Sequence, residues 1–192
     1  MMVAYDAVEA YGNPILIDDH DGRVAAYRRV CAAVQAHGSL FIAQLSHPGR
    51  QGGAALNPHP VSASDVHLKI KWAGNEFAPP RPLSVPEIED MARAWGRAAR
   101  ACYDAGFDGV QIHCAHGYLL AQFLSPTTNR RTDEYGGDLR NRSRIVFEVI
   151  DEVRRAVPDP RFIICVKINS VEFQDNGVHA QSPFRLTSFA PS

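Results

Sequence analysis

The sequence predicts an α/β fold with parallel strands joined by helical crossovers. Three observations predict it. A helix-period segment, a glycine or proline stop and a short apolar run recur three times in that order. The apolar runs LFIAQL, GVQIHC and FIICVKI suit strands covered on both faces. Polar residues gather where each run ends, and folds of this class bind ligands outside the carboxyl ends of their strands.

In the first unit, DDHDGRVAAYRRVCAAVQAHG places Val24, Tyr27, Cys31 and Val34 on one helical face, and Gly38 offers a left-handed stop. The run LFIAQL follows, reaches Gln44 near its end, and opens into SHPGRQGG. Residues 49–83 are rich in Pro, Gly, Ser and Asn and show no convincing period. A loop that long in a compact domain is usually functional or mobile. The second unit starts at a capping box, Ser84 with Glu87, and has Pro86 in the first turn, where its missing N–H costs little. Ile88, Met91, Ala92, Trp95, Ala98, Ala99 and Cys102 then trace one face, and Gly106 stops the helix before GVQIHC. In the third unit a helix from about Arg140 carries Ile145, Val146, Val149, Ile150 and Val153. Pro158 and Pro160 end it, and RFIICVKINS brings Lys167 and Asn169 to a strand end.

The bulk numbers are those of a soluble globular chain: 192 residues, 45% hydrophobic, 21% charged, formal net charge -1. That balance gives no reason to expect a nucleic-acid or anionic-membrane partner. Cys31, Cys102, Cys114 and Cys165 form no C-x-x-C pair and lie on predicted apolar faces or strands. Free thiols in a reducing compartment are the expectation. The start, MMVAYDAVEAYG, lacks the basic region and apolar run of a signal peptide, and no apolar segment approaches the ~20 residues of a membrane span. A cytoplasmic protein is expected.

The stretch VQIHCAHGYLL, residues 110–120, begins as a strand, ends as an apolar turn, and sets His113, His116 and Tyr118 between. A lone strand-end histidine is more often structural than catalytic. A zinc site is an alternative, but no carboxylate or cysteine partner stands at ligand spacing, and Cys114 points away from His113 if the strand runs through it. Together the three residues offer more. Two imidazoles can hold a carbonyl or phenolate oxygen, and a tyrosine stays protonated at neutral pH and can deliver a proton. Such a set supplies no hydride, so redox chemistry there requires a cofactor. Gln44 offers a donor and an acceptor for the edge of a pyrimidine-like ring. Lys167 offers positive charge for an anionic reduced ring.

The run IHCAHGYLLAQFLSPTTNRRTDEYGGDLRNRSR, with FIAQLSHPGRQ upstream and ICVKINSVEFQ downstream, strongly resembles the Old Yellow Enzyme family of FMN-dependent oxidoreductases, in the family's order and from about Asn13 to Asn176. The resemblance implies a (β/α)8 TIM barrel with non-covalent FMN. NADH or NADPH would serve as reductant, and a small molecule with an activated double bond would be the substrate. It implies that Gln44 meets the pyrimidine side of the flavin and Lys167 its N1 and O2 edge. His113 and His116 would grip the substrate carbonyl, and Tyr118 would protonate the neighbouring carbon. The block from Asn129 to Arg144 is expected to be loop and helix start, its charges solvated.

A full barrel takes about 250 residues. The three strands here correspond by resemblance to about the third to fifth of eight, without the loops that hold a cofactor phosphate. Residues 1–176 are therefore expected to form an incomplete barrel domain, and 177–192, reading VHAQSPFRLTSFAPS from Val178, a divergent disordered tail. Two open sheet edges follow, and with them self-association. The alternative to an enzyme is an inactive truncated fragment or gene-model artefact of the same family.

Overall fold

A computed structural model describes residues 1–4, 8, 10, 12–15, 18, 19, 21–70, 74, 76–172, 175 and 177. The expected tail beyond Gly177 lies outside the described residues. The elements run α1 (Arg23–Gln35), β1 (Ile42–Leu45), a single 3-10 turn (Gly49–Gln51), β2 (Val61–Ser62), β3 (Arg81–Pro82), α2 (Val85–Asp104), β4 (Gly109–Cys114), α3 (Leu119–Leu124), α4 (Leu139–Ala156) and β5 (Ile163–Ile168). The main sheet has the order β1-β4-β5, and both pairings are parallel. α2 crosses from β1 to β4 and α4 from β4 to β5, as parallel pairing requires. No helix among the described residues is long and apolar enough to cross a membrane.

Local chemistry explains the helix bounds. The capping box at Ser84 and Glu87 is formed in both directions. Arg81 and the Ser84 groups hold the Glu87 carboxyl well below its ordinary range, at about 2. Asp138 caps α4 by accepting from the Asn141 N–H at 2.9 Å. Gly38 and Gly106 adopt the left-handed conformation after α1 and α2.

One face of the sheet carries the core. Ala43 and Leu45 of β1 and Val110, Ile112 and Cys114 of β4 are buried against helix residues including Ile88, Trp95, Ala99, Ile145 and Val149. α2 and α4 meet almost backbone to backbone. A Cβ added at Gly96 would stand 2.9 Å from the Glu152 carbonyl oxygen. All four cysteines are free thiols, and only Cys165 is less than fully buried.

The structure departs from the sequence reading in four places. The segment after Tyr118, read as an apolar turn, is the short helix α3, all six of whose residues are buried. Residues 49–83 contain regular structure: the 3-10 turn and a short parallel pair, β2 with β3. The charged block after Asn129 is loop and helix start, and Arg130, Glu134, Asp138 and Arg140 are exposed, but its Arg131 is not solvated. The Arg131 side chain is 8% exposed and ion-paired to Asp133, and it donates to the carbonyls of Ala63 and Leu83 at 3.0 and 2.6 Å. Asn129 Nδ2 donates to the carbonyls of Phe123 and Tyr135. These groups are buried because they satisfy loop carbonyls that have no ladder partner.

The fourth departure concerns the edges. The outer edge of β1 is not bare, because the chain start lies along its C-terminal end. The amino group donates to the Gln44 carbonyl at 2.7 Å, Ser46 N–H to Met1 at 2.9 Å, and Val3 N–H to Ser46 at 3.2 Å. The far edge of β5 has no strand beside it among the described residues. Val166 and Ile168 stand 38% and 40% exposed there.

Candidate active site

β4 delivers the first residue. Pairing puts Val110, Ile112 and Cys114 on the helix face, so the period of two turns Gln111 and His113 to the opposite face. His113 is only 4% exposed. Its Nδ1 accepts the Ala115 backbone N–H at 3.2 Å. A neutral ring that accepts at Nδ1 carries its proton on Nε2, assigned here from the hydrogen bond. Burial, reinforced by His116, Lys167 and the amino terminus, brings the His113 pKa down to about 4. The ring is therefore neutral at physiological pH and presents Nε2–H as a donor.

The next four residues reverse the chain. Tyr118 N–H donates to the Ala115 carbonyl at 3.2 Å, while His116 and Gly117 hold φ values of 57° and 73°. Two central residues with positive φ make a type I′ turn, for which glycine is suited and histidine is not. The turn aims both later side chains back at His113. The His116 ring stands at 88° to that of His113 with centroids 5.1 Å apart, and the Tyr118 ring lies 4.9 Å from His113. His116 is exposed and Tyr118 half-buried, so the cluster has a solvent-facing mouth.

Gln122 of α3 fixes the floor. It is fully buried, and its Nε2 donates to the carbonyls of Pro48 and Gly117 at 3.0 and 2.7 Å. Its Oε1 accepts from Ser62 Oγ at 2.8 Å. One amide thus joins the loop after β1, β2 and the His116–Gly117 turn.

The other strands add two level rows. Gln44, Gln111 and Cys165 are in register across β1, β4 and β5. Gln44 Nε2 donates to Gln111 Oε1 at 2.6 Å, which leaves the Gln44 carbonyl oxygen pointing elsewhere as an acceptor. In the row above, Lys167 pairs in register with His113, and Ser46 follows Leu45, the partner of Ile112. Ser46 Oγ is buried without a hydrogen-bond partner among the described residues. A buried hydroxyl of that kind is costly unless something brings it a partner. An amide, a hydroxyl and an ammonium along one rim fit a flat ring with mixed donors and acceptors and a developing negative edge. The residues present therefore fit a flavin ring.

All five residues singled out in the sequence lie on this one side. The structure clusters His113, His116 and Tyr118. It places Gln44 and Lys167 on the flanking strands, with Gln44 one row below His113. Sequence reasoning passed over Gln111, although alternation from His113 pointed to it. It also passed over Ser46, and over Gln51 and Gln122, whose roles arise from contacts across 50 residues or more and leave no local signal. The described residues contain no cluster of three or more His, Cys, Asp or Glu able to hold a metal ion.

The chain is similar to known proteins over most of its length. The profile of the NADH:flavin oxidoreductase / NADH oxidase family matches residues 3–183. The NADH-dependent flavin oxidoreductase nadA of Aspergillus parasiticus is 45% identical over 181 residues, which are 93% of this chain and 40% of that protein. The 12-oxophytodienoate reductase 1 of Oryza sativa subsp. japonica is 42% identical over 134 residues, 68% of this chain and 35% of that one. Among solved structures, morphinone reductase superposes with a TM-score of 0.76 at 30% identity, over 86% of this chain and 47% of its own. A 2-naphthoyl-CoA reductase superposes with a TM-score of 0.83 at 28% identity, over 92% and 28%. The chain thus spans less than half the length of these relatives. Its three-block motif pattern, its parallel α/β sheet and a family match over nearly its whole length place it together with them: the chain belongs to the NADH:flavin oxidoreductase / NADH oxidase family, the Old Yellow Enzyme group.

Proposed function

We propose that this chain forms the substrate-facing part of an FMN-dependent oxidoreductase that uses NADH or NADPH to reduce an activated alkene, an α,β-unsaturated carbonyl compound. The observation that carries the proposal is the three-ring cluster around a neutral His113. In this reading β1, β4 and β5 are about the third to fifth strands of a (β/α)8 barrel. Bound FMN supplies the hydride.

The chain's own residues do the rest. His113 donates Nε2–H to the substrate's carbonyl oxygen, and His116 supplies a second donor from the mouth of the cluster. The two donors polarise the double bond by drawing charge onto the carbonyl oxygen. Tyr118 delivers its phenolic proton to the carbon next to the carbonyl. Gln44, held by Gln111, meets the pyrimidine edge of the ring, and Lys167 faces its anionic edge. The relatives' printed names, flavin oxidoreductase and 12-oxophytodienoate reductase, support this reaction class.

A second reading, an inactive fragment of the same family, is favoured by the β5 edge, beside which no strand stands among the described residues. FMN titration decides between the two. The enzyme reading expects saturable quenching of flavin fluorescence at micromolar FMN with the purified chain. A soluble, folded chain that leaves flavin fluorescence unchanged up to millimolar FMN supports the fragment.

A further inference from the structure

The peptide unit of His116 is held from both neighbouring strand ends. Gln51, in the 3-10 turn after β1, donates Nε2–H to the His116 carbonyl at 2.8 Å. Asn169, just past β5, accepts the His116 N–H through Oδ1 at 3.1 Å. Neither residue belongs to β4 or to its turn. His116 sits at φ 57°, a conformation that costs a non-glycine residue of order 1 kcal/mol or more and persists only where its surroundings over-determine it. A Cβ at Gly117 next to it would stand 2.3 Å from Gln51 Nε2, so any side chain there would displace the Gln51 amide from the His116 carbonyl.

We infer that Gln51 and Asn169 are positioning residues that together clamp the His116 backbone in its left-handed conformation and so set its ring against His113. The consequence for substrate binding rests on the function proposed above; the clamp itself does not.

Geometry alone supports the clamp. Without its two partners the His116 peptide would expose an N–H and a C=O to water and lose the compensation for its strain. An ordinary right-handed backbone would then swing the ring out of its 5.1 Å contact with His113. The two clamping groups differ in chemistry, and this makes the idea testable. Gln51 works as a donor, so Gln51→Glu keeps its size and removes its function. Asn169 works as an acceptor, so Asn169→Asp keeps its function and Asn169→Leu removes it.

The test is NMR on the full chain without flavin, reading two quantities: hydrogen exchange of the His116 amide and the NOE between the His113 and His116 ring protons. The expected result has Gln51→Glu and Asn169→Leu speeding His116 exchange about tenfold, the scale of one lost hydrogen bond. In both variants the ring–ring NOE is lost, because the His116 ring no longer stands 5.1 Å from that of His113. Asn169→Asp keeps slow exchange and the NOE. Folded Gln51→Glu and Asn169→Leu chains with unchanged exchange and an unchanged NOE would overturn the inference, as would loss of both signals in Asn169→Asp. If Gln51→Glu does not fold, the Asn169 pair decides alone. Both readouts are made without FMN, so a chain that binds no flavin refutes the proposed function and leaves the clamp standing.

Discussion

At the scale of single residues, His113 ties the chemistry to the stability of the chain. It is buried and neutral in the fold, with a pKa of about 4 against an ordinary 6.5. Between those values the unfolded chain binds the proton and the folded chain does not, so acidification favours unfolding. The His113 contribution is fully present above pH 6.5 and is lost as pH falls toward 4, with a slope of at most about 1.4 kcal/mol per pH unit. Melting temperatures measured from pH 7 to pH 4 are expected to fall less steeply for His113→Asn than for wild type. Parallel curves would show that His113 titrates normally. Tyr118 carries the complementary prediction. In a flavin-loaded protein, Tyr118→Phe should slow alkene reduction by about 10²- to 10⁴-fold and spare flavin reduction by the nicotinamide. Stopped-flow measurement of the two half-reactions checks this, and equal loss in both would remove Tyr118 as proton donor.

At the scale of elements, α2 was readable end to end. Ser84, Glu87 and Pro86 announce its start, one face of apolar residues its buried side, and Gly106 its end. Ser84→Ala removes one half of the capping box and should cost about 1 kcal/mol in chemical denaturation, with no change in the denaturant slope. The close approach at Gly96 predicts a larger effect. Gly96→Leu cannot be placed without moving α4 away from the Glu152 carbonyl, and a loss of several kcal/mol is expected, against near-neutrality for the exposed Arg97→Leu. β4 was equally legible, because a glycine-bounded apolar run of six residues has few other fates. α3 was not. A helix buried on every side shows no period, and six residues are too few to tell it from an apolar turn. Arg131 was misread for a related reason. A charged residue in a polar loop looks solvated until the carbonyls it serves are known, and Ala63 and Leu83 lie far away in sequence.

The same contrast governs the candidate site. His113, His116, Tyr118, Gln44 and Lys167 stood out because the strand ends are where this fold class collects its polar groups. The contacts that orient them, from Gln51, Gln111 and Gln122, are tertiary and were invisible.

At the scale of the whole molecule, the sheet is asymmetric. Its β1 edge is met by the chain start, whereas no strand among the described residues lies beside β5, where Val166 and Ile168 are exposed. An uncovered apolar edge strand is a template for pairing with another copy. Sedimentation velocity across a concentration series is expected to show reversible association of the wild-type chain and much less for Ile168→Lys. A charge on that strand discourages edge pairing, and because Ile168 lies in register with buried Cys114, a circular-dichroism spectrum matching wild type is part of the test. Equal association by both chains would place the contact elsewhere.

The Arg131 link has a further consequence, in the order in which the chain is made. Its guanidinium fastens carbonyls that leave the ribosome 68 and 48 residues before it does. At about 5–20 residues per second, residues 63 and 83 wait seconds for the group that secures them. During synthesis the long segment after β1 is therefore untethered while α2 and β4 are still emerging, and the mouth of the site takes its shape only after its histidines and tyrosine have been made.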